Sequence, residues 1–102
     1  MTDVSPKFIN TVSPNPFRPN YGEMEIVYEI PNDDEITIRI IDQANRIVKT
    51  IIDKEPRKGN TVYCDIWNGY NMNDEPVANG MYYIIFEQSN GSREVYPVFI
   101  RK

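Results

Sequence analysis

Two stretches of strict two-residue alternation constrain this chain more than anything else in it. Residues 23–30 put Met24, Ile26, Tyr28 and Ile30 on one side and Glu23, Glu25, Val27 and Glu29 on the other. Residues 35–42 repeat the pattern, with Ile36, Ile38 and Ile40 set against Glu35, Thr37 and Arg39. Successive side chains of a strand point to opposite faces, so a period of two marks a half-buried strand of an antiparallel sheet. Pro31-Asn32-Asp33-Asp34 between them is turn chemistry.

The same grammar runs through the rest of the chain. Residues 7–12 form a short first strand, with Phe8 and Val12 as candidates for one face. Three prolines and a glycine in residues 13–22 end it, and Phe17 is the apolar plug beneath that loop. Residues 47–53 and 61–67 are further strands, divided by a turn over 55–60 that carries Pro56 and Gly59. Residues 81–88 and 93–101 pair across Ser89-Asn90-Gly91-Ser92, where Asn-Gly is a strong hairpin signal. Pro97 has no N–H to give a ladder, so its strand is expected at a sheet edge or with a bulge. Roughly seven short strands, with turn residues every 8–12 positions or so, predict an all-β protein. The expected architecture is an Ig-like (fibronectin III-like) antiparallel β-sandwich, one domain over residues 1–102.

The stretch from Trp67 to Phe86 adds specificity. It reads Trp-Asn-Gly-Tyr-Asn-Met-Asn-Asp-Glu-Pro-Val-Ala-Asn-Gly-Met-Tyr-Tyr-Ile-Ile-Phe. Gly80 can swing the chain into the next strand with φ > 0. This pattern resembles the Ig-like domain of the flagellar hook-capping protein family. It is also similar to the C-terminal sorting tails of type IX secreted bacterial proteins. Those families show Trp-Asp-Gly, an acidic or Asn-rich loop, a small residue with Gly, then an aromatic strand. Ser13-Pro14-Asn15-Pro16-Phe17-Arg18-Pro19 is similar to their Pro-Asn-Pro-Phe-x-Pro, and residues 41–48 to their strand-turn-strand piece. The resemblance implies an Ig-like fold and sets Tyr82, Ile84 and Phe86 inward. It also puts an apolar residue two places before the Trp, where this chain has Asp65. A bulge near Ile66, or a partly exposed Trp67, is therefore expected.

Composition excludes several kinds of function. A net charge of −4 is the wrong sign for nucleic acid, whose binders need a positive field. Lys54, Arg57 and Lys58, the nearest thing to a basic cluster, are expected in a solvated turn. With no histidine, the Ser-His and Cys-His pairings and the usual transition-metal ligand are missing. The single cysteine, Cys64, allows no internal disulfide and is expected to be a small buried strand residue. No apolar run approaches the ~18 residues of a membrane-spanning helix. The start, Met-Thr-Asp-Val-Ser-Pro, has neither the basic nor the apolar part of a signal peptide. Met1 is read as the start of a complete small protein, the other reading being a domain cut from a larger one.

Three clusters carry residues of the kind that chemistry uses. The loop over residues 68–75 is rich in oxygen and could offer calcium Asp74 and Glu75, but its spacing is not that of a helix-loop-helix calcium loop, and Asn is ordinary in turns. Asp33, Asp34 and Glu35 are consecutive, so they point apart rather than across a cleft as a glycosidase pair must. Tyr63, Tyr70, Tyr82, Tyr83 and Tyr96 could suggest a sugar platform, but Tyr is a normal strand residue. No catalytic, cofactor or metal site is expected.

The last two strands are apolar on both faces. Met81, Tyr83 and Ile85 would lie opposite the inward set, with either Val95 and Phe99 or Tyr96, Val98 and Ile100 beside them. The expected interface is Met81, Tyr83, Ile85, Tyr96, Val98 and Ile100, facing a protein partner or further copies of the chain. The expected function is a non-catalytic accessory module docked on a larger assembly. By analogy of fold, the first setting is the virion surface, as a bacteriophage decoration protein. The second is the exterior of a bacterium, as a C-terminal sorting, anchoring or adhesion module of a secreted protein.

Overall fold

The computed structural model describes residues 8–102. Seven strands are present among them: β1 (Ile9–Ser13), β2 (Met24–Glu29), β3 (Asp34–Ile41), β4 (Ile47–Arg57), β5 (Val62–Trp67), β6 (Gly80–Gln88) and β7 (Arg93–Ile100). A single 3-10 turn, Pro19–Tyr21, lies between β1 and β2. The strands make two antiparallel sheets, ordered β1-β2-β5 and β4-β3-β6-β7. Because β4 pairs with β3 rather than joining the first sheet, the arrangement is the fibronectin III-like form of the Ig-like sandwich.

The alternation that defines β2 and β3 also defines the core. Met24, Ile26, Tyr28 and Ile30 from one sheet meet Ile36, Ile38 and Ile40 from the other, all fully buried. Tyr82, Ile84 and Phe86 of β6 and Phe17, the loop plug, complete this layer. In β1 the inward residues are Ile9 and Val12, because the register with β2 slips between Ile9 and Thr11. Phe8 is half-buried and stacks on Phe86 at 5.5 Å between ring centres. Lys7, the first residue of the expected strand, lies outside the described residues.

The expectation for Trp67 is corrected. β5 pairs with β2 without a break from Glu29↔Val62 to Met24↔Trp67. Trp67 is 1% exposed, and Ile66 is 48% exposed on the opposite face. Strict alternation therefore holds, and it turns Asp65 inward with Tyr63 and Trp67. The acid is accommodated because Tyr28 Oη donates to its Oδ2 at 2.7 Å and Arg57 Nη2 lies 3.6 Å from its Oδ1. The same alternation turns Cys64 outward, so it is exposed rather than buried. Burial of its surroundings and then Glu25 push the thiol above the ordinary range, which keeps it a weak nucleophile.

Arg57 also departs from expectation. β4 does not end at Asp53 but runs on through Pro56 to Arg57. Its register with β3 shifts three times, and Lys54 adopts φ +51°. The longer strand carries Arg57 to the open side of the sandwich. There its Nε donates to Tyr28 Oη at 2.8 Å and its guanidinium sits 4.9 Å from the centre of the Tyr63 ring. Lys58 N donates to Tyr63 Oη at 2.9 Å. Tyr28, Asp65, Arg57 and Tyr63 thus clasp one sheet to the other. Burial, followed by donation to Asp65, pushes the Tyr28 hydroxyl well above the usual tyrosine range.

On the opposite side, β1 and β7 are joined differently. Glu94 is buried on the inner face of β7, and its Oε1 accepts from Phe8 N at 2.6 Å and Ile9 N at 2.9 Å. Beyond β1, Asn15 Oδ1 accepts from Phe99 N at 3.1 Å and Asn15 Nδ2 donates to Pro97 O at 3.3 Å. Phe17 N then donates to Phe99 O at 2.7 Å, and Arg101 N to Phe17 O at 2.9 Å. As expected for Pro97, β7 is an edge strand, and it pairs with β6 in unbroken register. The Pro97 carbonyl faces Asn15 and so away from β6. Its nitrogen faces the same way, and the ladder loses nothing.

Candidate docking face

The expected interface divides between two faces. Residues directly opposite each other in a ladder share a face. The unbroken register sets Val98 against Tyr82, Ile100 against Gly80 and Tyr96 against Ile84. Val98 and Ile100 are consequently buried core, and Tyr96 is half-buried against it. Met81, Tyr83 and Ile85 do come together on the outer face, with Phe99, Pro97 and Val95 as their partners on β7. The β3–β6 register adds Ile41 beside Tyr83, and the β3–β4 register adds Ile47 beside Ile41.

An apolar field therefore covers the part of the four-stranded sheet's outside between Ile47 and Phe99 and up to Ile85. Ile47 is 54%, Val95 51% and Phe99 42% exposed. Ile85, held between Arg39 and Val95 in the register, is only 5% exposed although it faces outward. Charges rim the field in matched pairs. Arg39 reaches Glu87 at 3.2 Å and Asp53 at 3.9 Å at one end. Arg46 Nε donates to Asp42 Oδ2 at 2.9 Å at the other. Asp42 also accepts from the backbone N–H groups of Ala44 and Arg46. The Arg46 N–H foremost, then Ala44 and the Arg46 side chain, hold its carboxyl below the usual range. An apolar centre with a polar rim is the anatomy of a protein-contact surface.

The loop over residues 68–79 is an internally bonded support. Asn71 Oδ1 accepts from Asn73 N at 2.9 Å and Glu75 N at 3.0 Å, and Val77 N donates to Gly69 O at 3.0 Å. The Asn71 oxygen is thus spent on backbone donors. Among the described residues no three His, Cys, Asp or Glu side chains gather as metal ligands. Trp67 Nε1 donates to Tyr70 O at 2.9 Å, fixing the indole against the loop. Gly69 has φ +83°, and a Cβ there would sit 2.7 Å from the Pro19 side chain. That contact explains the glycine of the Trp-Asn-Gly motif. Tyr82 Oη donates to Ala78 O at 2.7 Å, the tyrosine corner of Ig-like sandwiches.

Asp33, Asp34 and Glu35 line an open groove of about 390 Å³ with Pro56, Arg57, Lys58 and Ser89. Their oxygens are turned to local partners: Asp33 Oδ1 accepts from Gly59 N and Asp34 Oδ1 from Glu35 N. The five tyrosines that could suggest a sugar platform are dispersed: Tyr82 is core, Tyr63 belongs to the clasp, Tyr83 lies on the outer face, Tyr96 is half-buried against the core and Tyr70 is exposed in the 68–79 loop. Sequence reasoning missed Arg57 and Glu94 as structural ligands. Their signals were an acid at an inward position of β5 and another on the inward side of β7.

No protein-family model and no curated protein sequence matches the chain. Among solved structures it is similar to PorZ of Porphyromonas gingivalis, described as an essential bacterial surface component of the type-IX secretion system. The two are 19% identical with a TM-score of 0.66, over 90% of this chain and 11% of that one. A likeness at this identity is a likeness of fold. The chain spans about a ninth of the length of the protein it matches. No helix among the described residues is long and apolar enough to cross a membrane.

Proposed function

We propose that this chain is a non-catalytic Ig-like module of a bacterial secreted or cell-surface protein, serving sorting or anchoring by the type IX route. The observation that carries this reading is the fold likeness, over nine-tenths of the chain, to one segment of a type-IX surface component. The Trp-Asn-Gly and Pro-Asn-Pro-Phe motifs support it, since each fills a packing role in the fold. The outer face of the four-stranded sheet is the surface through which the module meets a protein of the same apparatus. The bacteriophage setting rested on fold analogy alone and gains no support from the comparisons, so the cell-surface setting takes precedence.

The test is to append residues 1–102 to the C-terminus of a periplasm-directed fluorescent reporter in a bacterium with a working type IX system. Surface display is expected, lost in a secretion-deficient strain and reduced by Val95→Asp with Phe99→Lys. A reporter that stays inside the outer membrane in both strains overturns the sorting reading.

A further inference from the structure

We propose that the seam between the N-terminal run and β7 is a shear clamp that carries tension applied along the chain. This inference rests on the hydrogen-bond geometry and is independent of the type IX reading. The run over residues 8–17 lies alongside β7 in the same direction. Phe8 and Ile9 meet Glu94, Asn15 meets Pro97 and Phe99, and Phe17 bridges Phe99 and Arg101. The bridge between Phe17 and Ile100 is parallel.

Parallel neighbours at opposite ends of one chain have a definite mechanical consequence. The chain enters the seam at the Glu94 end and leaves it at the Arg101 end. A pull between its two ends therefore drags the two segments past each other along their length. Six hydrogen bonds among the described residues then lie across the load: two to Glu94, two to Asn15 and two to Phe17. Each is modest alone, but in this direction all six must fail together. Phe17, wholly buried and 5.9 Å from the Trp67 ring, anchors the sliding segment in the core.

The hairpin of β6 and β7 supplies an internal contrast. Gly80 pairs with Ile100 at one end of the ladder. A load between residue 73, in the exposed loop before β6, and residue 102 enters that hairpin from a single end. It opens the pairs one after another instead of shearing them.

The test is single-molecule force spectroscopy on the full chain along both axes. One preparation is tethered at its two ends. The other, with Cys64→Ser and Asn73→Cys, is tethered at positions 73 and 102. Forced unfolding reads the barrier along the pulled direction. A several-fold higher unfolding force is expected end to end. Asn15→Ala removes two of the six bonds, so it should lower the end-to-end force measurably and the 73–102 force, where bonds to β7 fail one at a time, by a smaller fraction. Equal forces on the two axes, or an end-to-end force indifferent to Asn15→Ala, would overturn the clamp. The two-axis comparison needs no substitution in the seam, so it decides the matter whether or not that variant folds.

Discussion

The sandwich has two open sides, and this chain closes them by different means. At the β1–β7 side, all six bonds have a backbone group as donor or acceptor, and two are wholly backbone to backbone. At the β4–β5 side the closure is made largely by side chains: the Tyr28, Asp65, Arg57 and Tyr63 clasp. Further along that side Met72 N donates to Val48 O, and Lys49, Ile51 and Ile66 line a shallow cleft of about 180 Å³. Closure on the β1–β7 side depends on strand direction and on backbone groups, with Glu94 and Asn15 as the two side chains it needs. The clasp depends on four particular side chains and on the proton of the Tyr28 hydroxyl.

The largest expected effect falls on the β1–β7 side. Phe17→Ala empties a fully buried site, and an aromatic-to-alanine change in a core costs about 3–5 kcal/mol. Urea unfolding measures it, and a loss under about 1 kcal/mol would mean the plug is dispensable. Next comes the clasp. Asp65→Ala leaves Arg57 and Tyr28 facing each other without the acid, and breaking such a part-buried pair should cost about 2–4 kcal/mol. A double-mutant cycle with Arg57→Ala should return a coupling of at least about 1 kcal/mol. Strict additivity would show that the two sheets do not depend on that contact.

Glu94 sharpens the contrast from the other side. Glu94→Ala orphans two backbone donors and should cost about 2 kcal/mol, whereas Glu94→Gln keeps an acceptor oxygen and should cost roughly half that. Equal losses would mean the charge, not the acceptor, matters. The smallest effect separates the sides by pH. The folded Tyr28 hydroxyl holds its proton above the ordinary tyrosine range, while the unfolded one releases it near pH 10 or so. The unfolded state then binds fewer protons than the folded state, so stability is full below about pH 10 and falls as pH rises beyond it. Urea midpoints across this window should decline in the wild type and decline less in Tyr28→Phe. An identical slope in both would detach the clasp from the titration.

Much of the fold was legible because it is local. The inward sets of β2 and β3 follow from alternation alone, and the Asn90-Gly91 turn fixes the register of β6 and β7. The edge position of Pro97 follows from its missing N–H. The candidate site was legible only in half. Met81, Tyr83 and Ile85 were placed together, but their neighbours on β7 depend on a register that residues 93–100, apolar on both sides, do not declare. Asp65 misled for a related reason. The expected apolar residue suggested a bulge, whereas the strand kept its period and the acid found Arg57, which is near it only after both sheets have assembled. Contacts between sheets leave no periodic trace along the chain.

The irregular course of β4 bears on how the molecule behaves when crowded. A straight, eleven-residue edge would be a template for the same edge of a neighbour. Three slips of register, the left-handed Lys54 and the prolyl ring of Pro56 leave no long, evenly spaced row of free donors and acceptors. With the far edge of the same sheet covered near Pro97 and Phe99 by the Asn15–Phe17 stretch, neither side invites stacking into fibrils. Pairing of this sheet edge to edge with a second copy is therefore disfavoured, and contacts between copies fall to its outer face instead.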